Sequence, residues 1–235
     1  MYTMEGRIRY SETDSNGRLT LGGLIDYFQD SSTFQSEDIG IGPEYLSKDN
    51  RAWVINYWQV EIDEYPIMGT NVKINTWPYK FVKFLGHRNY ELVGNDGKSL
   101  ARADSLWALY DMKKMFPSVL SQEELELYKL EEPLDMEAKP RKIKVDGDFS
   151  KIGSFVIEKD RLDTNIHVNN AQYVKLACNY LPEDKIVNRL RVEYKQSMML
   201  GMEVIVESLE RDGLFYIRYV DKEGTVFATL EFGFK

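Results

Sequence analysis

The 235-residue chain is 43% hydrophobic and 29% charged, an ordinary globular composition with room for one large core or two modest ones. Its net charge of −8, without a basic stripe interleaved with aromatics, argues against nucleic acid as a partner. One cysteine, Cys178, and two histidines, His87 and His167, exclude an internal disulfide framework and leave a Cys/His zinc site without ligands. No metal is expected.

The chain opens with MYTMEGRIRY, which lacks an apolar run of the signal-peptide kind, and no stretch is long enough to cross a bilayer. A cytoplasmic protein without a membrane span is expected. Next comes Asp14-Ser15-Asn16-Gly17-Arg18-Leu19-Thr20, followed by Leu21, Leu24, Ile25 and Phe28 at the spacing of one helix face. Gly22-Gly23 weakens the start of that helix. Strands follow: Val60-Glu61-Ile62 leads to Met68-Gly69, and the turn Asn95-Asp96-Gly97-Lys98 precedes a strand over 100–110. His87 falls at the start of one of these strands and reads as an ordinary strand or surface histidine.

The segment 121–148 is charged, carries Pro133 and Pro140, shows no strand pattern and has room for a short helix over 122–130. Beyond it the opening pattern returns. Asp163-Thr164-Asn165-Ile166-His167-Val168-Asn169 repeats Asp-x-Asn-x-(cation or His)-aliphatic-(Thr or Asn), and Tyr173, Val174, Ala177 and Leu181 give a second helix. Val192-Glu193-Tyr194 leads to Leu200-Gly201 as Val60 to Ile62 leads to Met68-Gly69. The turn Lys222-Glu223-Gly224-Thr225 then precedes Val226, Ala228, Leu230, Phe232 and Phe234 on one strand face. The expected organisation is therefore an N-terminal domain over 1–120, a linker over 121–148 and a C-terminal domain over 149–235. Each half is α+β, one long helix followed by a run of antiparallel strands, so periodicity gives a duplicated α+β chain.

Read as extended chain, Leu162 to Val168 puts Asp163, Asn165 and His167 on one side and the aliphatic residues on the other. Asn169 or Asn170 would cap the following helix and leave backbone N–H groups beside the polar trio, a setting suited to an oxyanion. A thioester needs a positioned water or carboxylate, a base and such a site. On spacing alone, Asp-x-Asn before a helix is more often an ordinary turn and cap. One comparison favours chemistry. The first copy keeps Asp14 and Asn16 but has Arg18 in place of His and Thr20-Leu21 in place of Asn-Asn.

The run Asp163 to Val174 resembles the motif Asp-x-Asn-x-His-Val-Asn-Asn-x-x-Tyr of the acyl-acyl carrier protein thioesterases of plants and bacteria, and the resemblance extends over essentially the whole chain. It implies a double hot-dog with its active site in the second half and Asp163, Asn165 and His167 as the catalytic trio. It also implies acyl carrier protein, loaded through its 4'-phosphopantetheine arm, as the partner, and no cofactor. The acyl chain would lie mainly in the first domain, with Trp53, Ile55 and Tyr57 as candidate linings that serve equally as core. The sequence departs from plant members after the second helix. Where they carry Glu-Tyr-Arg-Arg-Glu-Cys, this chain has Glu193-Tyr194-Lys195-Gln196-Ser197-Met198. A thioether has no acidic proton, so a cysteine–histidine mechanism at Met198 is excluded. Gln196 or Ser197 remain as contacts for the water.

An acidic carrier must meet this acidic chain at a local basic patch. Lys139, Arg141, Lys142 and Lys144 are candidates, as are Lys80, Lys83 and Arg88. The alternatives are an acyl-coenzyme A thioesterase on the same fold and a non-catalytic acyl-binding protein. Duplication supplies within one chain the pairing that single hot-dog proteins reach by dimerising, which fits a monomer or a homodimer.

Overall fold

A computed structural model describes residues 1–163 and 167–235. The contacts divide the chain into two compact units. The first comprises residues 1–56 and 62–138, and the second 57–61 and 139–235.

The first unit holds β1 (Tyr2–Arg7), α1 (Leu21–Asp38), α2 (Pro43–Lys48), β2 (Arg51–Ile62, apart from its 57–61 segment), β3 (Asn71–Val82), β4 (Leu85–Gly94), β5 (Ser99–Asp111), β6 (Phe116–Pro117) and α3 (Gln122–Leu127). The sheet order is β1-β3-β4-β5-β2, with the short β6 on β5. The second unit holds β7 (Ser150–Val156), α4 (Asn170–Cys178), β8 (Val187–Tyr194), β9 (Glu203–Arg211), β10 (Leu214–Val220) and β11 (Val226–Phe234). Its order is β7-β9-β10-β11-β8, with residues 57–61 of β2 alongside β8. Counted from the start of each unit, both sheets run first, third, fourth, fifth, second. The repeat seen in the sequence is thus a repeat of topology.

Backbone hydrogen bonds repeat with it. Gly69 N–H donates to Ile8 O at 2.9 Å and Ile8 N–H to Thr70 O at 2.9 Å. In the second unit Gly201 donates to Ile157 at 2.9 Å and Ile157 to Met202 at 3.0 Å. Gly69 and Gly201 sit at φ of 83° and 79°, in the left-handed region, so both turns need a residue without Cβ.

α1 begins at Leu21 and runs straight through Gly22-Gly23, where propensity pointed to an uncertain boundary. Thr20 caps it, accepting from Gly23 N–H at 3.1 Å, a contact worth about 1 kcal/mol. A Cβ on Gly23 would stand 3.0 Å from Leu19 Cδ1 and 3.1 Å from the Thr20 hydroxyl, so the glycine admits the cap. Leu21, Leu24, Ile25 and Phe28 are buried, and Phe28 packs on Tyr90 of β4 at 5.3 Å between ring centroids.

The second helix is shorter than the periodicity indicated. α4 has nine residues and stops at Cys178, before Leu181; the chain tightens there, with Tyr180 N–H donating to Ala177 O at 3.0 Å, and Pro182 has no N–H to extend the ladder. The two helices are therefore unequal, 18 residues against nine.

The segment 121–148 is anchored in two pieces. In the first unit Ser121 and Glu124 form a capping box on α3, Glu124 grips Arg51 with two hydrogen bonds, and Trp77 Nε1 donates to Glu132 O at 2.9 Å. In the second unit Lys139 N–H donates to Gln59 Oε1 at 3.1 Å and Ile143 N–H to Glu193 Oε2 at 3.0 Å.

Candidate active site

The described ends of the motif before α4 are joined by hydrogen bonds. Leu162 pairs antiparallel with Val168, and Asp163 N–H donates to His167 O at 2.7 Å. His167 N–H in turn donates to Asp163 Oδ1 at 3.1 Å. Asn165, the third member of the predicted trio, lies outside the described residues.

The corresponding hydrogen bonds exist in the first unit, where every residue is described. Asp14 N–H donates to Arg18 O at 2.8 Å, and Asp14 Oδ1 accepts from Asn16 N–H at 2.8 Å and Arg18 N–H at 3.0 Å. The exit is also shared. Thr20 N–H donates to Glu12 O and Asn169 N–H to Arg161 O, both at 2.9 Å. Retention of Asp in both copies therefore has a local cause, since its carboxylate closes the turn. What separates the copies is the side chain presented at His167 against Arg18.

Asn169 is the N-cap of α4 and Asn170 its first residue. Asn169 Oδ1 accepts from Ala171 N–H at 2.9 Å, and its carbonyl from Gln172 N–H at 2.9 Å. Those two donors are thus committed within the cap, which narrows the oxyanion site expected at this helix start. Arg161 reaches over the first turn to Gln172 Oε1 at 2.9 Å.

Gln196 and Ser197 are exposed, and Met198 is fully buried. The structure brings this stretch to the motif through the backbone: Val168 N–H donates to Met198 O at 3.3 Å. Beneath lies an aromatic group that the motif reading did not exploit. The Tyr173 hydroxyl accepts from Met198 N–H at 2.9 Å and donates to Gln196 O at 3.5 Å. The Tyr173 ring stands edge-on to Tyr194 at 5.2 Å. Burial pushes the Tyr173 phenol up to about 12, the Met198 N–H opposes the rise, and the Asp163 carboxylate adds to it, so Asp163 lies within electrostatic reach of that hydroxyl.

The remaining candidates separate by exposure. Lys139, Arg141, Lys142 and Lys144 are all exposed, while Ile143 between them is buried and Arg191 holds Pro140 O at 2.6 Å. Lys80 and Lys83 are exposed in the first unit. Arg88 is not a docking residue. It is buried on the α1-facing side of β4, donating to Gln35 Oε1 and to Thr76 Oγ1. Ile55 and Tyr57 are buried, and Trp53 packs on Phe81 at 6.2 Å beside the cluster of Ile41, Leu46, Leu109 and Tyr128. His87 is half-buried, its Nδ1 at 3.3 Å from the Tyr79 hydroxyl. An open groove in the first unit, bordered by Gly6, Ile8, Val72 and Val93, contains none of the motif residues.

A helix-and-sheet unit built twice, with the same strand order in each copy, defines a tandem hot-dog fold. Residues 1–128 match the N-terminal domain model of acyl-ACP thioesterases and residues 150–229 the C-terminal domain model; the chain belongs to the acyl-ACP thioesterase family. The chloroplastic palmitoyl-acyl carrier protein thioesterase of Cuphea hookeriana is 30% identical over 221 residues, covering 86% of this chain and 52% of that protein. The chain thus spans about half the length of the curated relatives it matches. An acyl-ACP thioesterase from Bacteroides thetaiotaomicron superposes with a TM-score of 0.90 at 25% identity, covering 99% of this chain and 97% of that one. The 12:0-ACP thioesterase of Umbellularia californica shares the fold, with a TM-score of 0.86 at 18% identity over 100% of this chain and 96% of that one. No helix among the described residues is long and apolar enough to cross a membrane.

Proposed function

We propose that this protein hydrolyses fatty acyl thioesters carried on acyl carrier protein, releasing the free acid and ending chain elongation. The observation that carries the reading is the asymmetry between the two copies. The same turn is built twice, and only the second presents a histidine, beside an N-capped helix and an exposed Gln196-Ser197 stretch. Water attacks the thioester carbon, the thiolate leaves, and the proton lost by the water passes to the leaving sulfur. His167 carries that proton, because an imidazole can accept at one ring nitrogen and return a proton to the sulfur. Asp163 serves as nucleophile or general base, Asn165 orients one of the two, and Ser197 or Gln196 contacts the water.

The carrier docks, in this reading, on the basic segment over 139–144. Its backbone is fixed by Gln59, Glu193 and Arg191, so four cations project from a braced strap rather than a loose tether. A cytoplasmic setting belongs to the same reading, supported by a single cysteine.

Steady-state hydrolysis of a medium- to long-chain acyl-ACP series, with matched coenzyme A esters, tests the proposal. Turnover with strong preference for the protein carrier supports it and reports chain length. Equal or better turnover of coenzyme A esters transfers the reading to an acyl-coenzyme A thioesterase. Binding without turnover leaves an acyl-binding protein.

A further inference from the structure

The two copies differ at one more place, and there the difference is coordinated between two residues far apart in sequence. In each unit the chain leaves the second strand through a bend pinned by one carbonyl. Asp63 and Glu64 both donate to Leu100 O, at 2.9 and 3.1 Å, and Lys195 and Gln196 both donate to Phe227 O, at 2.8 and 3.1 Å. Beyond the bend the chain returns a carbonyl to the motif turn: Pro66 O accepts from Leu19 N–H at 2.8 Å and Met198 O from Val168 N–H at 3.3 Å. Pro66 and Met198 are therefore structural equivalents.

Proline has no N–H, so the bend of the first unit presents no buried donor at that point. Met198 has one. It is fully buried, and the donor is satisfied by the Tyr173 hydroxyl at 2.9 Å. Counted from the two N-caps, Thr20 and Asn169, the residue at the position of Tyr173 is Leu24, which has no acceptor to offer. The hydroxyl–amide pair of the second copy is thus an apolar–imino pair in the first, and each combination leaves no buried polar atom unmatched. The Tyr173 ring is held by edge contact with Tyr194, and its backbone carbonyl accepts from the Tyr219 hydroxyl at 2.7 Å.

We infer that Tyr173 is a positioning residue, whose hydroxyl sets the Gln196–Met198 bend against the Asp163–His167 turn. Met198 makes the link at both ends, giving its N–H to Tyr173 and its carbonyl to Val168 beside His167. Ser197, one residue away, is thereby held at a fixed height over the turn. The inference rests on the thioester hydrolase reading above. Misplacement of a positioned group by about 1 Å costs a reaction roughly 100-fold, so losing this contact acts on turnover before it acts on binding.

The test is a double-mutant cycle between Tyr173→Phe and Met198→Pro, which remove the acceptor and the donor of the same contact. Proline at the equivalent Pro66 shows that the bend accommodates it. Each single variant is expected to lower kcat about 10- to 100-fold with KM changed less than about threefold, and the double variant to lose no more than the worse single. Tyr27→Phe, which deletes a buried hydroxyl bonded to Glu12 in the first unit, is the control and is expected to keep kcat at a comparable loss of thermal stability. Losses that multiply in the double variant, unchanged kcat in Tyr173→Phe, or an equal kcat loss in Tyr27→Phe would each overturn the inference. Rates are read on acyl-ACP and acyl-coenzyme A. A wild type that turns over only the coenzyme A ester removes the carrier reading and leaves this test in force. Unaltered turnover of acyl-ACP by Tyr173→Phe removes the inference and leaves the carrier reading intact.

Discussion

The backbone N–H of His167 donates to the carboxylate of Asp163 at 3.1 Å, so the residue expected to do chemistry also closes the turn that presents its partner. Asp14 does the second job alone, accepting from Arg18 N–H at 3.0 Å. The two roles separate on substitution. Asp163→Asn keeps the acceptor oxygen and the turn but loses the charge. It is expected to lower kcat by about 10²–10⁴ with little change in thermal midpoint. Asp163→Ala loses the hydrogen bond as well and costs about 1 kcal/mol of stability besides. Asp14→Asn should leave both unchanged. Full activity in Asp163→Asn would reduce the carboxylate to a turn-closing group.

Charge reversal of Lys139, Arg141 and Lys142 tests the docking strap. The backbone contacts to Gln59 and Glu193 do not involve these side-chain charges, so the fold is expected to hold. KM for acyl-ACP should rise about tenfold, chiefly through slower association and with a flatter salt dependence, while a small acyl thioester is unaffected. The same reversal at Lys80 and Lys83, exposed in the first unit, is the comparison. Equal KM changes for the carrier-bound and small thioesters would remove the strap from the docking reading.

The duplication was legible in the sequence because its signals are local: an Asp-x-Asn turn, a cap, an apolar stripe and a glycine turn recur in order. Side-chain direction was not. Alternation along β4 says that His87 and Arg88 face opposite ways, but not which of them faces α1, and the cation proved to be the one inside. The start of α1 stayed open in the sequence because Gly22-Gly23 carries a local propensity cost, which a cap and a buried apolar face override. The Tyr173–Met198 contact could not be read from Met198 at all, since its polar partner is a backbone N–H. The only trace in the sequence is Pro66 at the equivalent place in the first copy.

Cys178 is predicted to be chemically silent. It ends α4 half-buried, and burial pushes its thiol up to about 12, where the thiolate is negligible at neutral pH. Alkylation by iodoacetamide should be undetectable in the folded protein and complete after denaturation, with kcat unchanged by the treatment of the native form. Cys178→Ala should retain turnover. Inactivation on native alkylation would return the cysteine to the reaction.

Asp104 gives a pH dependence of stability whose sign follows from burial. The Tyr79 hydroxyl donates to its Oδ1 at 2.9 Å and Asn89 Nδ2 at 3.1 Å, yet burial outweighs both and raises the carboxyl to about 6 from 3.8. The folded state therefore holds a proton that the unfolded state has released, between about pH 4 and 6. Stability contributed by the neutral carboxyl is fully present below that window, falls through it, and stays lost above it. Asp104→Asn keeps an acceptor for Tyr79 and Asn89 and removes the charge. The variant should match the wild type near pH 4 and exceed it above pH 6 by about 1–2 kcal/mol, once partial solvent screening is allowed for. Thermal unfolding of both proteins across that range is the measurement. A constant difference at all pH values would mean that the effect is packing and not ionisation. A destabilised variant at pH 7 would mean that the charged carboxylate is the form the Tyr79–Asn89 pair was built to hold.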